Sequence, residues 1–477
     1  MPDRFNRRLL LHGLAGAAFA APQNPSCSPQ WGTDLKPNQL VPPAGGAQVI
    51  PNGAPDRQRR RPLFSEMKRD PDLRQRVMAD LEKGYTALMC ASDADLQDHT
   101  GLMYWAWMHE HYCGGAGSHI DYHHSWLFLP WHRALLYFHE LTLRKIVGDD
   151  FRLPVWDWET TAEVPSFYSD FVTRFKSSEK TSLPGRIENC MLQAWLLCKD
   201  RKEIFIGEAA KGGLAPAGAH NYVHTQMGPL MNRFSKSGAD PLFYAHHANV
   251  DRWWAFWQSH YSQFGDPTTW PWSTESFNFY GPDGQPASIQ VSRLFDLVKL
   301  GYSYAPVRNP GLYDYRSQIE TATHGVFTIQ GLQNIFLSLM RIARMPVASL
   351  AAFLDATEEH FFDAVSRIQN ALPVRITITP TGAQPGTYYY IGMRGPSMSG
   401  DDPAHVIGGF SPLSDSDMHH SGTIVAACFG LEDLLQIAKW HGQVRFVWGP
   451  AAPDHYAITY GAEHPIDSIE LLIPIPA

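Results

Sequence analysis

Histidine clustering constrains this chain more than any other feature. His220 and His224 stand four apart in His220-Asn221-Tyr222-Val223-His224, so a helix through them sets both imidazoles on one face, one turn apart. Further on, the stretch Asp240-Pro241-Leu242-Phe243-Tyr244-Ala245-His246-His247 opens with a helix-start signature and brings in a third imidazole. Upstream, His132 follows Pro130-Trp131 in the first turns of a helix expected over 125–147, His123 lies in the loop before it, and His109 ends an aromatic helix. Any one of these alone reads as a hydrogen-bonded core histidine. Two convergent trios do not. The 22 His of this 477-residue chain exceed what a packed core requires, so metal chemistry is the first idea to test.

The fitting chemistry is narrow. An i, i+4 histidine pair suggests a zinc hydrolase, but Asn221 occupies the position where a zincin carries its glutamate base, and no replacement base is evident. Neutral imidazoles without carboxylate or thiolate suit copper, and two three-coordinate sites leave open positions for dioxygen.

Other features exclude rather than assign. With 39 Lys and Arg against 47 Asp and Glu, the net charge is −8, and the cationic cluster Arg57 to Arg61 lies in a Pro- and Gly-rich stretch. Nucleic acid and an anionic membrane are therefore not expected as partners. Beyond the amino terminus no apolar run approaches the roughly 18 residues of a membrane helix, so a soluble protein is expected. Residues 1–21 join Arg4, Arg7 and Arg8 to a short apolar run ending in small residues, which reads as a signal segment with a twin-arginine-like pair. That reading implies export, periplasmic or secreted; the alternative, an unstructured arm, implies a cytoplasmic protein. Six cysteines are too few for a disulfide scaffold and include no Cys-x-x-Cys pair. In an exported chain a Cys27–Cys90 bridge could tie the arm to the body, a pairing the sequence does not establish.

Residues 22–62 read as an arm over a folded body. Helical periodicity runs through 70–89, 97–111, 125–147, 190–200 and 241–259. Alternation over 277–305, around the turn Gly281-Pro282-Asp283-Gly284, marks a small module at about 270–307. A partly helical linker over 308–372 and short strand-like runs through 373–477 complete the chain. The expected fold is a mainly α domain over 63–307, a four-helix bundle around the metals, followed by a β-rich carboxy-terminal domain.

Both histidine segments resemble the paired copper signatures of the tyrosinase, catechol oxidase and haemocyanin superfamily. The first runs from His123 through Phe128, His132 and Arg133 to Glu140; the second comprises Asp240, Pro241, Phe243, His247 and Asp251. The resemblance is nearest to plant-type polyphenol oxidases with a carboxy-terminal shielding domain, and it implies a dicopper protein. His109, His123 and His132 would hold one copper ion, and His220, His224 and His247 the other. In that family the second histidine of the adjacent pair is the ligand, which selects His247 over His246, and spacing selects His123 over His124. Cys113, four residues after His109, matches a cysteine joined to the second ligand by a thioether, here His123. Leu153 to Trp158 resembles the family's Trp-containing strand, and Leu300-Gly301-Tyr302-Ser303-Tyr304 its tyrosine motif.

The implied activity is oxidation of phenols and o-diphenols by dioxygen to o-quinones, with monophenol hydroxylation. Phe234 matches the gate residue over the first copper. Asn221 matches a position linked with deprotonating monophenols, beside a Glu that holds a water. Pro216 stands where plant-type enzymes place that Glu, so Glu208 is its candidate here. Asn249 and Asp251 are candidate partners of the ligand rings, with an Arg pairing an equal role for Asp251. The rivals are a catechol-only or o-aminophenol oxidase and a haemocyanin-like oxygen carrier; a homo-oligomer is left open. In the shielding domain, Met398 is the candidate residue lying over the coppers.

Overall fold

A computed structural model describes residues 27, 42–113, 122–123, 125–175, 177, 180–183, 207–208, 211–212, 219–260, 269–307, 318–323, 372–384, 387, 389–395, 398, 404–410, 423–429, 444–450, 458 and 462–473. The signal-like segment, the helices expected over 190–200 and within 308–372, and His124 lie outside them.

Local chemistry starts each helix of the body. Asp70 accepts the Leu73 N–H at 2.9 Å and Pro71 fills the first turn of helix Pro71–Ala94. Its buried stripe, Leu81, Tyr85, Leu88 and Met89, packs against helices Leu102–Tyr112 and Phe128–Val147. Helix Leu102–Tyr112 is apolar almost all round and is correspondingly buried. It starts five residues later than the periodicity predicts, because Asp95 and Asp98 capture the N–H groups of Gln97 and Thr100 in side-chain turns. Phe128–Val147 likewise starts late: Ser125 Oγ accepts the Leu127 N–H at 3.2 Å, which holds the chain in a turn. Asp240 Oδ1 receives the Leu242 N–H at 2.9 Å at the start of helix Pro241–His260.

Helices Phe128–Val147 and Pro241–His260 pack side by side, and a buried charge network fastens them. Arg133 Nε lies 2.5 Å from Asp251 Oδ1, and Asp251 Oδ2 accepts from the hydroxyls of Tyr302 at 2.9 Å and Tyr304 at 2.6 Å. Arg61 joins Glu140 at 2.9 Å, and Glu140 also receives the Leu153 N–H. The tyrosines stand just past Gly301, whose φ of +81° ends helix Leu297–Leu300 in the left-handed region that favours glycine. The chain therefore returns at Tyr302 and Tyr304 to lock the two helices. A hairpin of Ser276–Tyr280 and Pro286–Gln290, extended by Ala47–Gln48, covers the flank of Phe128–Val147. The Cys27–Cys90 bridge is present and ties the amino-terminal region to helix Pro71–Ala94.

Toward the carboxy terminus eight strands form one sheet, in spatial order His464–Pro465, Arg445–Pro450, Tyr389–Arg394, His405–Phe410, Thr423–Phe429, Leu372–Ile378, Ser468–Ile473 and Gln318–Thr323. The mainly α body followed by a β-rich region is the expected architecture. Two details differ. Part of the expected linker, Gln318–Thr323, is a strand paired antiparallel with Ser468–Ile473, and its alternating Ile and Thr suit that position. His405–Phe410 is a further strand, whose Gly408 and Gly409 weaken the strand signal. It lies against helix Asn221–Met227, so the sheet adjoins the helix that carries His224. No described helix is long and apolar enough to cross a membrane.

Candidate metal centre

Four helices present the histidines. His109 comes from the last turn of Leu102–Tyr112, His132 from the start of Phe128–Val147, His224 from Asn221–Met227 with His220 at its cap, and His247 from Pro241–His260. His123 enters from the loop before Phe128. All six are buried. One ligand-capable atom each from His109, Cys113, His123 and His132 lies within 4.8 Å of the others, and the same holds for His220, His224, His246 and His247. The groups adjoin: the His132 and His247 rings stack 4.2 Å apart, and those of His123 and His220 are 5.4 Å apart.

Hydrogen bonds to the outer nitrogens aim the inner ones. His132 Nδ1 donates to the Phe128 carbonyl at 2.8 Å and His224 Nδ1 to the Met231 carbonyl at 2.7 Å, so each ring keeps an Nε2 lone pair. His220 Nδ1 donates to Asn221 Oδ1 at 2.8 Å, and Ser237 Oγ lies 3.1 Å from His109 Nδ1. His224 Nε2 and His247 Nε2 converge at 3.1 Å. Asn249 and Asp251 do none of this. Asn249 pairs with Glu159 and Arg252, and Asp251 pairs with Arg133 and the tyrosines. Their side chains leave the helix toward the charge network, so of the two expected roles Asp251 has the arginine pairing.

Ser237 is a residue that sequence reasoning missed. Its only signal is the neighbouring Gly238, where a Cβ would stand 2.9 Å from Ala106 Cα and the Trp105 carbonyl. Glycine is required for the turn to approach helix Leu102–Tyr112 closely enough to reach His109.

The electrostatics favour metal over proton. Burial above all, and then neighbouring imidazoles, hold His132, His224 and His247 well below the usual imidazole range. These rings are neutral and their lone pairs available. His132 Nε2 is buried without a hydrogen-bond partner among the described residues, an atom that a metal would satisfy. Phe128 and Phe243 form the apolar wall: Phe128 lies 4.6 Å from His132 and 4.9 Å from His220, and Phe243 lies 4.7 Å from His109 and 4.2 Å from His247. Trp131 lies 4.9 Å from His132 and 6.2 Å from His109 and packs also on Tyr112, Tyr122 and Phe279. Two adjoining, buried, histidine-rich groups fit the binuclear copper site of tyrosinase-family proteins.

The remaining expected site residues are placed only in part. Glu208 lies in strand Gly207–Glu208 and Phe234 opens the short helix Phe234–Ser237; the side chains of both are outside the described residues. Met398 turns back on its own loop, its sulfur accepting from the Gly395 N–H at 3.1 Å.

The common central domain of tyrosinase matches residues 99–196 and 192–260. Polyphenol oxidase II, chloroplastic, of Ipomoea batatas is 30% identical over 387 residues, spanning 65% of this chain and 63% of that protein. Catechol oxidase B, chloroplastic, of Solanum tuberosum is 29% identical over 371 residues, spanning 65% and 62%. The chain thus matches somewhat under two thirds of the length of these relatives. Among solved structures, recombinant latent aurone synthase (polyphenol oxidase) superposes with a TM-score of 0.57 at 19% identity, covering 96% of this chain and 99% of that one. Latent apple tyrosinase gives 0.50 at 18% identity, covering 92% and 99%. These superpositions extend the likeness in fold through the carboxy-terminal sheet.

Proposed function

Because this chain carries the common central domain of tyrosinase and the plant polyphenol oxidase family fits its sequence and fold, we propose that it is a copper enzyme oxidising o-diphenols to o-quinones with dioxygen. The observation that carries this reading is the pair of adjoining buried imidazole groups with lone pairs turned inward. His109, His123 and His132 hold one copper ion, and His220, His224 and His247 the second. When bound, the pair supplies dioxygen binding and two-electron oxidation of a coordinated phenol. The protein's own part is to keep the rings neutral, fix their tautomers, and exclude water with Phe128 and Phe243.

Monophenol hydroxylation is the finer reading. Asn221 stands beside the His220 ring, its Oδ1 accepting from the outer Nδ1–H, and we assign it, with Glu208, to orienting the water that takes up the phenol's proton. Glu208 and Phe234 complete this proposal as water holder and gate. Cys113, grouped with the first trio and outside any disulfide, is the proposed thioether partner of His123. The plant relatives are named as chloroplastic; for this chain we propose an oxidising compartment reached by export, supported by the Cys27–Cys90 bridge.

Oxygen uptake by protein loaded with two coppers, assayed on tyrosine, catechol and o-aminophenol side by side, tests the reading. Uptake with catechol and quinone formation are expected. Reversible oxygenation without quinone would overturn it in favour of a carrier. Uptake with catechol and none with any monophenol would remove the hydroxylation step and the roles given to Asn221 and Glu208.

A further inference from the structure

The rings packed on the proposed ligands differ sharply in how readily they give up an electron. Apart from other imidazoles, the described residues that touch the ligand rings are Phe128, Phe243 and Trp131. A phenylalanine ring resists oxidation, whereas an indole loses an electron readily. The Trp131 ring centroid lies 4.9 Å from that of His132 and 6.2 Å from that of His109, which are contact distances for aromatic pairs. Its Nε1 is buried without a hydrogen-bond partner among the described residues, so none of them takes up the indole proton there.

On its other side Trp131 leads outward. It lies 5.7 Å from Tyr112 and 5.9 Å from Tyr122. Those two rings stack 5.4 Å apart with their planes 3° from parallel, and the Tyr122 N–H donates to the Tyr112 carbonyl at 2.9 Å, which holds the stack in register. Trp131 and Tyr112 are buried and Tyr122 is half-buried, so the three rings run from the ligands toward the surface. The further ring on Trp131, Phe279 at 6.1 Å, is another that resists oxidation.

We propose that Trp131 and the Tyr112–Tyr122 stack form a one-electron route between the first ligand group and the surface, used when dioxygen reacts and no phenol is bound. The proposal rests on the dicopper reading above. Reducing dioxygen to water takes four electrons, of which two cuprous ions hold two and a catechol supplies the others. Without a catechol, Trp131 gives one electron through the His132 ring and becomes a radical cation that keeps its N–H. Tyr112 or Tyr122 then gives an electron to the indole; its O–H bond breaks, the proton leaves to water, and a neutral tyrosyl radical remains. A phenol in solution returns one hydrogen atom to that oxygen, which restores the tyrosine and leaves a phenoxyl radical. Two such passages supply the missing pair of electrons.

The test compares wild type with Trp131→Phe and with the double variant Tyr112→Phe, Tyr122→Phe, each in the full, copper-loaded and reduced chain. The protein is mixed with dioxygen in the absence of phenol, frozen, and read by electron paramagnetic resonance; its peptides are then read by mass spectrometry. Wild type should give a tyrosyl signal. The double variant should lose that signal and carry added oxygen on Trp131, where the oxidation then stops. Trp131→Phe should lose the signal as well. A wild type without a tyrosyl signal overturns the proposal, as does a signal of wild-type size in either variant, or a double variant that loses the signal with no oxygen added to Trp131. Where Trp131→Phe fails to fold, the double variant, which removes only two hydroxyls, decides alone. Copper per chain is measured by atomic absorption in every sample, and all three proteins should hold two. A wild-type chain that takes up fewer than two coppers overturns the dicopper reading itself, an outcome distinct from these.

Discussion

Replacing Asp251 with Asn separates two roles for a residue one turn beyond His247. The Asp251 carboxylate is buried and receives Arg133 on one oxygen and Tyr302 and Tyr304 on the other, while Arg61 stands 3.8 Å from the second oxygen. Arg133 is itself buried, with its guanidinium 3.7 Å from the centroid of Trp254. An Asn side chain has the same shape but one acceptor and no charge. Arg133 then loses its carboxylate, and Glu140 is left to balance Arg61 and Arg152. Removing one partner of a buried pair costs about 3–5 kcal/mol, because the other charge stays buried uncompensated. For a folded unit of about 150–250 residues that is a fall in Tm of roughly 6–20 °C.

The assay is thermal unfolding of metal-free Asp251→Asn, followed by tryptophan fluorescence, with copper titration of the folded protein at low temperature. The expected result is a large fall in Tm with both coppers still bound, since no ligand ring hydrogen-bonds to Asp251. A metal-free Tm within about 2 °C of wild type, together with a lost copper, would refute the reasoning and make Asp251 a partner of a ligand ring.

Three further expectations follow from the same geometry. His132, His139, His224, His246 and His247 are all held well below the usual imidazole value of 6.5, by burial first. The unfolded chain therefore binds more protons below about pH 6.5, and stability of the metal-free protein should be full above that pH. It should fall on acidification by up to about 1.4 kcal/mol per pH unit per histidine, and equal urea midpoints at about pH 7.5 and 5.5 would contradict this. Gly238→Ala forces a Cβ against the Trp105 carbonyl and Ala106, moving Ser237 off His109, so copper stoichiometry should drop toward one per chain; two tightly held coppers would show that the turn does not set His109. After exposure to copper and oxygen, a peptide joining Cys113 and His123 should appear, lighter by two hydrogen atoms than the separate peptides and absent from Cys113→Ser; its absence from wild type would remove the thioether.

What the sequence made legible is what short-range spacing encodes. The i, i+4 pair at His220 and His224 and the helix starts before His132 and His247 are local patterns, and each stands where the pattern puts it. The partners that make those rings usable were not legible, because they are backbone carbonyls and a single hydroxyl. Phe128 and Met231 serve through atoms every residue possesses, and Ser237 reaches His109 across 128 positions. The same distinction explains Asp251. Its place one turn after His247 is visible in sequence, but which way its side chain faces depends on Arg133 and on a tyrosine segment about 50 residues downstream. For His246 the neighbour is equally remote in sequence: the indole N–H of Trp158 reaches its Nδ1 at 3.2 Å across 88 positions.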